Sequence, residues 1–453
     1  MEEYIRKITE QIRCVRARES VAKELSDHIL DQAAAYEEQG EAHEAAVGKA
    51  VHEMGDPVEV GVALDRIHRP QMDVKLIVMV LVFSIGGLFL QLIISSYSSS
   101  ALNDSRVFLS QFGRQSLILL VSFGVMAGMY FLDYSFIGRY AMMIYWGMSV
   151  LFLLLKINGR ETNGRIPLLL MLVYLYLPVY AGILYQLRGK GYRAILQAVG
   201  MLLLTAVISY YCSGLLHAAL AVYGMQTVLL ILAIHKGWFQ VKQKEAFVIV
   251  LAILVILPLA MGLFSLVTDF GENQFRMHRI HAWLHPEESP YEAGYTYLWI
   301  RDMLAQAKWI GASGAFPYEG IVWTPGLDPF ILLEIICSFG ILAGLLVIFS
   351  FAIVLVHAFS IVRRQKNQLG FMIAAACFVV FLDNCVEGIL INSGYYPVTS
   401  LQVPFLSYGA GATITYAVLV GLLLSIHRNE KILTDNASMS HPAWRLCVRL
   451  EKR

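Results

Sequence analysis

Hydrophobic residues follow two different patterns along this chain. In the first 70 residues they recur at helical spacing between charged residues, as at Val21 and Leu25. From Val74 onward they form long and nearly uninterrupted runs, and a membrane-spanning helix needs about 20 such residues. The pattern therefore predicts a small helical bundle over residues 1–70, followed by a membrane domain over residues 74–426.

The N-terminal segment reads as three or four short helices. One helix is predicted to stop at Gly55, because glycine readily adopts the backbone conformation that ends helices. Asp56 then caps a new helix that has Pro57 at its first position, where the missing N–H is not needed. We interpret this bundle as a soluble appendage for docking or stability.

The long apolar runs predict an all-α, polytopic membrane protein with ten transmembrane helices. A large loop over residues 269–328 separates the seventh helix from the eighth, and a basic tail over residues 427–453 follows the tenth. The loop is rich in tryptophan and tyrosine, which favour the membrane–water interface, so it is expected to lie on the outer face. The ten predicted spans are 74–96, 115–135, 139–157, 166–187, 194–211, 214–235, 246–268, 329–357, 370–392 and 404–426.

The composition supports a membrane protein and excludes other classes. Of the 453 residues, 57% are hydrophobic and 15% are charged, which is too apolar for a soluble globular protein. The formal net charge of +1 gives no sign of nucleic-acid binding. The six cysteines include no CxxC pair, so neither a zinc site nor a disulfide framework is predicted. No metal site is predicted at His278, His281 and His285 either, because no carboxylate lies at metal-ligand spacing from them.

The distribution of lysine and arginine predicts the orientation of the chain in the membrane. If the N-terminus is cytoplasmic, the basic connections 188–193, 235–244 and 363–366 all face the cytoplasm, as does the tail. Both termini are therefore predicted to be cytoplasmic, and the large loop faces outward. The connection 156–165 is basic but falls outside, so it is either incidental or an anion-binding patch.

The stretch "GYYPVTSLQVPFLSYGAGATITY", residues 394–416, is unusual for a segment that enters a membrane. Pro397 and Pro404 interrupt helical hydrogen bonds, and Ser407 together with later threonines can satisfy the freed backbone groups. Irregular backbone is tolerated at membrane depth where it lines a cavity or is buried in protein. The stretch is therefore predicted to form a wall of a substrate groove. The alternative is a tightly packed last helix.

Three stretches carry a resemblance to one family. Residues at the spacing of its signature (Gly, Pro, Thr-Gly, then Pro-Phe-Ile-Ser-Tyr-Gly-Gly-Ser) are Gly394, Pro397, Thr399, Pro404, Phe405, Ser407, Tyr408 and Gly409. The stretches "RIHAWLHPEESPYEAGY" and "LDPFILLEIICSFGILAGLLVI" are similar to two further segments of that family. On these residues the chain resembles the FtsW/RodA/SpoVE, or SEDS, membrane proteins of bacterial cell-wall synthesis, over roughly residues 74–426. Its N-terminal segment resembles a permease prefix domain.

The resemblance implies a ten-helix fold and a peptidoglycan glycosyltransferase of the bacterial plasma membrane. Such an enzyme polymerises lipid II, an undecaprenyl-diphosphate-linked disaccharide peptide, at the outer leaflet, in cell shape, division or sporulation. The implied partner is a class B penicillin-binding protein. Two alternatives stay open. One is a non-catalytic relative that scaffolds or regulates a penicillin-binding protein, and the other is a lipid flippase, for which we see no internal inverted repeat.

Sugar transfer needs a base near the acceptor hydroxyl, and positive charge or a divalent cation near the leaving diphosphate. The family's candidate base is an aspartate at the end of the large loop, a role that the resemblance gives to Asp328, although alignment places Pro329 there. The alternative is that Asp328 caps the eighth helix, with Pro329 at its first position. Arg276, Arg279 and Lys308 are candidates for binding the diphosphate, or else they reach headgroup phosphates. A divalent cation is the one cofactor left open.

Asp383 and Glu387 lie four residues apart, on one face of the ninth helix. Carboxylates inside a membrane are costly and usually functional, so both are predicted to bind substrate together with Glu334; the alternative is a structural pair. Tyr180 and Ile183 stand where the family has Glu and Lys, which favours the non-catalytic alternative. The residues predicted to bind substrate are Arg276, Arg279, Lys308, Glu334, Asp383, Glu387, Pro397, Thr399, Pro404, Ser407, Tyr408 and Gly409.

Overall fold

A computed structural model of the chain describes residues 1–98, 105–158, 167–213, 216–252, 280–313, 330–397, 403–406 and 409–430, together with residues 255, 259 and 278. Within these residues all regular structure is helical, and the all-α prediction is confirmed. Six of the predicted site residues lie outside the described ranges: Asp328, Arg276, Arg279, Thr399, Ser407 and Tyr408.

The N-terminal segment contains four helices, α1 (Glu2–Gln11), α2 (Val15–Glu37), α3 (His43–Glu53) and α4 (Pro57–Ile67). Gly55 has a φ of +84° after α3, as the predicted stop requires. The Asp56 side chain accepts hydrogen bonds from the amides of Val58 and Glu59, at 2.7 and 3.1 Å, so the predicted cap is also present. Apolar residues at helical spacing, such as Leu25, are buried between the helices.

The membrane domain is built from helices of very different lengths. Large apolar side chains such as Leu196 and Phe349 are 73% and 65% exposed on it, as expected where helices face lipid. Its first helices are α5 (Val74–Ser98), α6 (Ser105–Phe131), α7 (Ser135–Asn158), α8 (Pro167–Leu172), α9 (Tyr176–Gln186), α10 (Gly191–Ser213) and α11 (Leu216–His235). Later come α12 (Tyr295–Ala305), α13 (Ile331–Phe339), α14 (Ile341–Arg364), α15 (Gln368–Asn392) and α16 (Ala410–Arg428).

Seven helices of the described part are long and apolar enough to cross a membrane. A shorter apolar stretch covers Val74–Leu90. Most of the predicted seventh span, 246–268, lies outside the described residues. The count of ten transmembrane helices therefore stays a prediction. The seven are Phe112–Phe131, Ser135–Asn158, Gly191–Ser213, Leu216–His235, Ile341–Arg364, Gln368–Asn392 and Ala410–Arg428.

A linker of six residues, 68–73, joins α4 to α5. Asp73 ends this linker, and its buried carboxylate accepts a hydrogen bond from the Leu76 amide at 3.0 Å and contacts His357 of α14 at 2.7 Å. His427 of α16 lies within electrostatic range of the same carboxylate. The start of α5 and the last turns of α14 and α16 therefore meet at one end of the membrane domain. We call this the junction end, and the opposite end the distal end.

The predicted eighth helix, 329–357, is in fact two helices, α13 and α14, that break at Gly340. Gly340 has a φ of +102°, and a Cβ there would lie 2.7 Å from the carbonyl oxygen of Trp309. The segment 308–313 runs alongside the break. Its Gly311 amide donates to the Phe339 carbonyl at 3.0 Å, and the Lys308 carbonyl accepts from the Ile341 amide at 2.9 Å. The loop therefore satisfies the backbone groups that the break exposes.

The predicted tenth helix, 404–426, begins later than expected, at Ala410. Pro404 has no amide hydrogen to give to a helix, and residues 404–406 form a turn instead. Within it Phe405 has a φ of +63° and packs against the rings of Phe381 and Tyr416, with centroids 6.1 and 5.5 Å away. Because Phe381 lies in the middle of α15, this turn enters the helical core of the membrane domain.

Helix α9 forms the centre of the membrane domain. Every residue from Tyr176 to Tyr185 is buried, and α9 packs against α7, α11 and α15. The Tyr180 hydroxyl donates a hydrogen bond to the Ala198 carbonyl at 3.1 Å. Tyr180 is therefore a core residue that joins α9 to α10.

Candidate functional site

A buried acid, an imidazole and a phenol meet at the distal end of the membrane domain. His217 lies in the first turn of α11, and Glu387 lies near the end of α15, which packs against α11. The distance from His217 Nε2 to Glu387 Oε1 is 2.8 Å. Tyr396, just beyond α15, donates its hydroxyl to the same Glu387 oxygen at 3.1 Å, and lies 3.1 Å from His217 Nε2.

The second oxygen of Glu387 has no such partner. The residue is 6% exposed, and its Oε2 makes no hydrogen bond to any group that the structure describes. Asp383, one turn earlier on α15, likewise has a buried Oδ2 without a described partner. Tyr174 lies within electrostatic range of both carboxylates, and its hydroxyl is also buried and unpaired among the described groups. Buried polar groups of this kind call for an explanation, and a binding site is one.

The imidazole of His217 is held in one orientation. Both of its hydrogen bonds in the described part of the chain are made by Nε2, so Nδ1 is left without a protein partner there. A carboxylate that faces Nε2 favours the tautomer with the proton on Nε2, which leaves a lone pair on Nδ1. The side chain is 24% exposed, whereas that of Glu387 is 8% exposed. His217 is therefore the accessible member of the pair.

The described part of the large loop covers this cluster. The turn at residues 393–397 follows α15 and carries Tyr396. Arg301 of α12 donates from Nε to the Gly394 carbonyl at 3.2 Å, and its guanidinium lies 4.3 Å from the centre of the Tyr395 ring. Trp283 Nε1 donates to the Tyr395 carbonyl at 3.1 Å. The loop thus fixes the turn that positions the phenol.

The structure brings some of the predicted site residues together and separates others. Asp383 and Glu387 share one face of α15, as predicted. Glu334 is 2% exposed on α13, whose Leu333 amide donates to Asn392 at the end of α15. Glu334 therefore lies at the distal end as well. Lys308 is exposed at the break between α13 and α14, apart from the cluster.

The remaining described site residues belong to the 394–416 stretch. Pro397 ends the turn that carries Tyr396. Pro404 lines an apolar cleft between α5, α14, α15 and α16, together with Phe83 and Phe351. Gly409 precedes α16, and its carbonyl accepts a hydrogen bond from the Thr413 hydroxyl at 2.9 Å. The role of these residues in binding a substrate stays a prediction.

Two members of the cluster, His217 and Tyr396, were not anticipated from the sequence. A histidine in the first turn of an apolar span is a weak signal by itself, and its partner Glu387 is 170 positions away. Elsewhere, the exposed His278 and His281 lie 3.4 and 3.5 Å from Glu292 and Glu288, contacts that their spacing in the sequence did not predict. Among the described residues, no three side chains of metal-ligand type converge.

Comparison with known proteins identifies the family. The sequence pattern of the family described as "Cell cycle protein" (FtsW/RodA/SpoVE) matches residues 73–432. A "Probable peptidoglycan glycosyltransferase FtsW" of Idiomarina loihiensis is 29% identical over 163 residues, which cover 35% of this chain and 40% of that protein. "Peptidoglycan glycosyltransferase RodA" of Treponema pallidum is 27% identical over 164 residues, 34% of this chain and 36% of that protein. The chain thus spans about two fifths of the length of these curated relatives.

Solved structures share the fold. A chain of the structure described as "Structural coordination of polymerization and crosslinking by a peptidoglycan synthase complex" aligns with a TM-score of 0.55 and 20% identity, over 79% of this chain and 98% of that one. The rod shape determining protein RodA of Thermus thermophilus aligns with a TM-score of 0.52 and 15% identity, over 79% and 97%. Since the family pattern covers most of the chain, this integral membrane protein belongs to the FtsW/RodA/SpoVE family.

Proposed function

We propose that this chain is a peptidoglycan glycosyltransferase that polymerises lipid II at the outer leaflet of the bacterial plasma membrane. The observation that carries the proposal is the cluster of Glu387, His217 and Tyr396 under the large loop, at the distal end of the membrane domain. Sugar transfer needs a group that accepts a proton, held in place and partly shielded from water. The names of the relatives, FtsW and RodA glycosyltransferases, support the same reaction.

Different residues of the site are proposed to bind different parts of the substrate. Asp383 and Glu387 are proposed to bind sugar hydroxyls, because carboxyl oxygens accept hydrogen bonds from them whether the group is ionised or protonated. The hydrophobic side chains that line the narrow cleft at Pro404 are proposed to contact the isoprenyl chain. The resemblance gives the role of base to Asp328, and the role of diphosphate ligands to Arg276 and Arg279. No step is assigned to a divalent cation, because the described side chains do not supply three converging ligands.

The charge at the junction end supports the proposed orientation. Arg188 donates to Gln368 at 2.7 Å, which places the connection after α9 beside the start of α15. Arg363 and Arg364 end α14, and Arg428 ends α16. Basic residues gather at the cytoplasmic ends of transmembrane helices, so we place the junction end and both termini in the cytoplasm. The large loop and the distal cluster then face outward, where we propose that a class B penicillin-binding protein works beside the chain.

One assay tests the function. The full chain is purified, reconstituted in vesicles with fluorescent lipid II, and scored for glycan polymer, next to the Asp328→Asn variant. Polymer from the unaltered protein is the expected result. If Asp328 is the base, as the resemblance implies, Asp328→Asn reduces the rate by about 100-fold, the lower range for loss of a general base. Vesicles that scramble lipid II without making polymer would instead indicate a flippase.

A second candidate function rests on Tyr180. Tyr180 stands in the core where the resemblance expects a glutamate, so this chain lacks a carboxylate there. This favours a non-catalytic protein that scaffolds a penicillin-binding protein. Under that reading, the purified chain makes no polymer and co-purifies with the transpeptidase in stable form. Polymer made without any partner would argue against it.

A further inference from the structure

His217 and Glu387 are arranged as a base and its orienting acid. Glu387 contacts Nε2 of the imidazole at 2.8 Å, Tyr396 contacts the same carboxylate oxygen, and Nδ1 has no hydrogen bond in the described part of the chain. A carboxylate that holds one nitrogen of a histidine while the other accepts a proton is the arrangement of a catalytic dyad. The sequence pattern of the family did not point to either residue in this role.

We propose that His217 takes the acceptor proton in this chain in place of Asp328, and that Glu387 positions it. The inference deepens the proposed function, on which it rests. Nδ1 of His217 takes the proton of the acceptor sugar hydroxyl. The oxygen of that hydroxyl forms a bond to the anomeric carbon of the donor sugar, and the bond from that carbon to the diphosphate oxygen breaks. The electron pair leaves with the undecaprenyl diphosphate, and the imidazolium later releases its proton to water.

The groups around the imidazole can stabilise the positive charge that it gains when it accepts a proton. Glu387 and Tyr396 contact the imidazole, Asp383 lies within electrostatic range of it, and Tyr174 lies within electrostatic range of both carboxylates. The two carboxylates are negative when ionised, so they stabilise the imidazolium that forms when Nδ1 accepts the proton.

Access also favours His217 over its neighbours. About a quarter of its side chain is exposed, whereas the carboxylate behind it is nearly buried. Helix α12 and Trp283 hold the 393–397 turn, which carries Tyr396 over the dyad. Oε2 of Glu387 is buried without a partner among the described groups, and a purely structural contact with His217 does not account for it.

The test compares variants in the reconstituted full chain with fluorescent lipid II. His217→Gln keeps a donor where Nε2 lies, and so keeps the contact with Glu387, but it removes the base. We expect its rate to fall by at least about 100-fold. Glu387→Gln is expected to fall by about 10-fold, and Tyr396→Phe by less than about 3-fold, because neither takes the proton directly. Rates are measured only on protein that elutes as a single species in detergent, which removes effects of misfolding.

Two readouts separate a base from a structural residue. A base must be neutral to accept a proton, so the rate of the unaltered protein should depend on pH in a way that the rate of His217→Gln does not. Added imidazole should restore part of the rate of His217→Ala and none of that of Glu387→Gln. A His217→Gln rate within about 3-fold of the unaltered rate, or failure of imidazole to rescue His217→Ala, would overturn the inference.

The same assay tests the role of His217 separately from the proposed glycosyltransferase function. If the unaltered protein makes polymer while only Asp328→Asn abolishes it, the base is Asp328 and the role of His217 is wrong. If Asp328→Asn and His217→Ala both lose the rate, but added imidazole restores only the rate of His217→Ala, His217 is the base as proposed. If the unaltered protein makes no polymer, the proposed function fails and the role of His217 fails with it.

Discussion

Arg301 of the large loop contacts the turn that follows α15. It donates a hydrogen bond to the Gly394 carbonyl and stacks on the Tyr395 ring. The planar guanidinium suits both contacts at once, and a lysine does not replace it in that geometry. Together with Trp283, which donates to the Tyr395 carbonyl, Arg301 fixes the loop to the turn that carries Tyr396.

We predict that Arg301→Ala loosens the 393–397 turn without unfolding the chain. Loss of the hydrogen bond and of the stacking removes about 1–2 kcal/mol from the closed turn. Amide hydrogen exchange in this turn should accelerate by about 10-fold, while exchange in the middle of α15 stays unchanged. Arg301→Lys is the matched variant, and it should behave nearly as Arg301→Ala does. Unchanged exchange in both variants would contradict the assignment.

At the residue scale, the sequence singled out two of the four side chains described at the distal end. Asp383 and Glu387 could be predicted, because carboxylates in an apolar span are conspicuous. His217 and Tyr396 could not, because a lone histidine and a tyrosine near a proline have ordinary structural explanations. Only the packing of α11 on α15 shows that His217 faces Glu387.

Among the elements, the boundary of α4 shows how far local rules reach. Gly55 ends one helix through its backbone conformation, and Asp56 and Pro57 start the next through their side chains; the structure has both. The break at Gly340 was missed for the opposite reason, because it depends on a contact with the distant Trp309. The interruption at Pro404 was predicted, but the later start of α16 was not, because the turn at residues 404–406 packs against the distant Phe381.

We predict that Asp56→Ala frays the start of α4. An N-cap of this kind contributes about 1 kcal/mol, since it satisfies amides that the helix leaves unpaired. Hydrogen exchange at the first turn of α4 should increase by about 5-fold in the full chain. Asp31→Ala, at an exposed position of α2, is the control and should leave that exchange unaltered. Equal exchange in the two variants would mean that the cap has no effect.

The break at Gly340 gives a second prediction for an element. Gly340→Ala forces a side chain into a φ of +102° and places its Cβ 2.7 Å from the Trp309 carbonyl oxygen. The strain should lower stability by about 1–3 kcal/mol, which is measured as a lower midpoint of thermal unfolding in detergent. Gly200→Ala in α10 is the control, because a Cβ there meets nothing within 4 Å. A break that tolerates alanine would show that segment 308–313 can move aside.

For the whole molecule, the hydrophobic pattern alone predicted the class of fold. Long apolar runs separated by basic connections leave few alternatives to a helical membrane domain. The number of spans is a finer question, and the described residues establish seven helices of sufficient length and apolarity. The polar contacts that join the ends of distant helices, such as Asp73 with His357, cannot be read from these runs because any pair of ends is possible.

The contact at the junction end predicts a dependence of stability on pH. Burial raises the pKa of Asp73, but hydrogen bonds from the Leu76 amide and from His357 outweigh it, so the pKa lies below its ordinary value of 3.8. A lowered pKa means that the carboxylate stabilises the fold at neutral pH and that this contribution is lost as the pH falls through the native pKa.

Asp73→Asn should therefore have a lower midpoint of thermal unfolding than the unaltered protein at pH 7. The expected difference in stability is about 1–3 kcal/mol, because the substitution weakens hydrogen bonds of a buried group. The difference should narrow as the pH falls below 3.8 toward the native pKa of Asp73, because protonation of the unaltered carboxylate removes its contribution. A difference that is constant with pH would mean that Asp73 acts through packing alone.

The six-residue linker between α4 and α5 limits the reach of the N-terminal bundle. Fully extended, six residues span about 20 Å, so the four helices stay in a thin layer next to the bilayer and cannot sample the bulk solution. Any molecule that binds to those helices is confined to the same layer, so its local concentration near the membrane rises. A short tether thus converts even a weak affinity of the bundle into enrichment at the lipid surface.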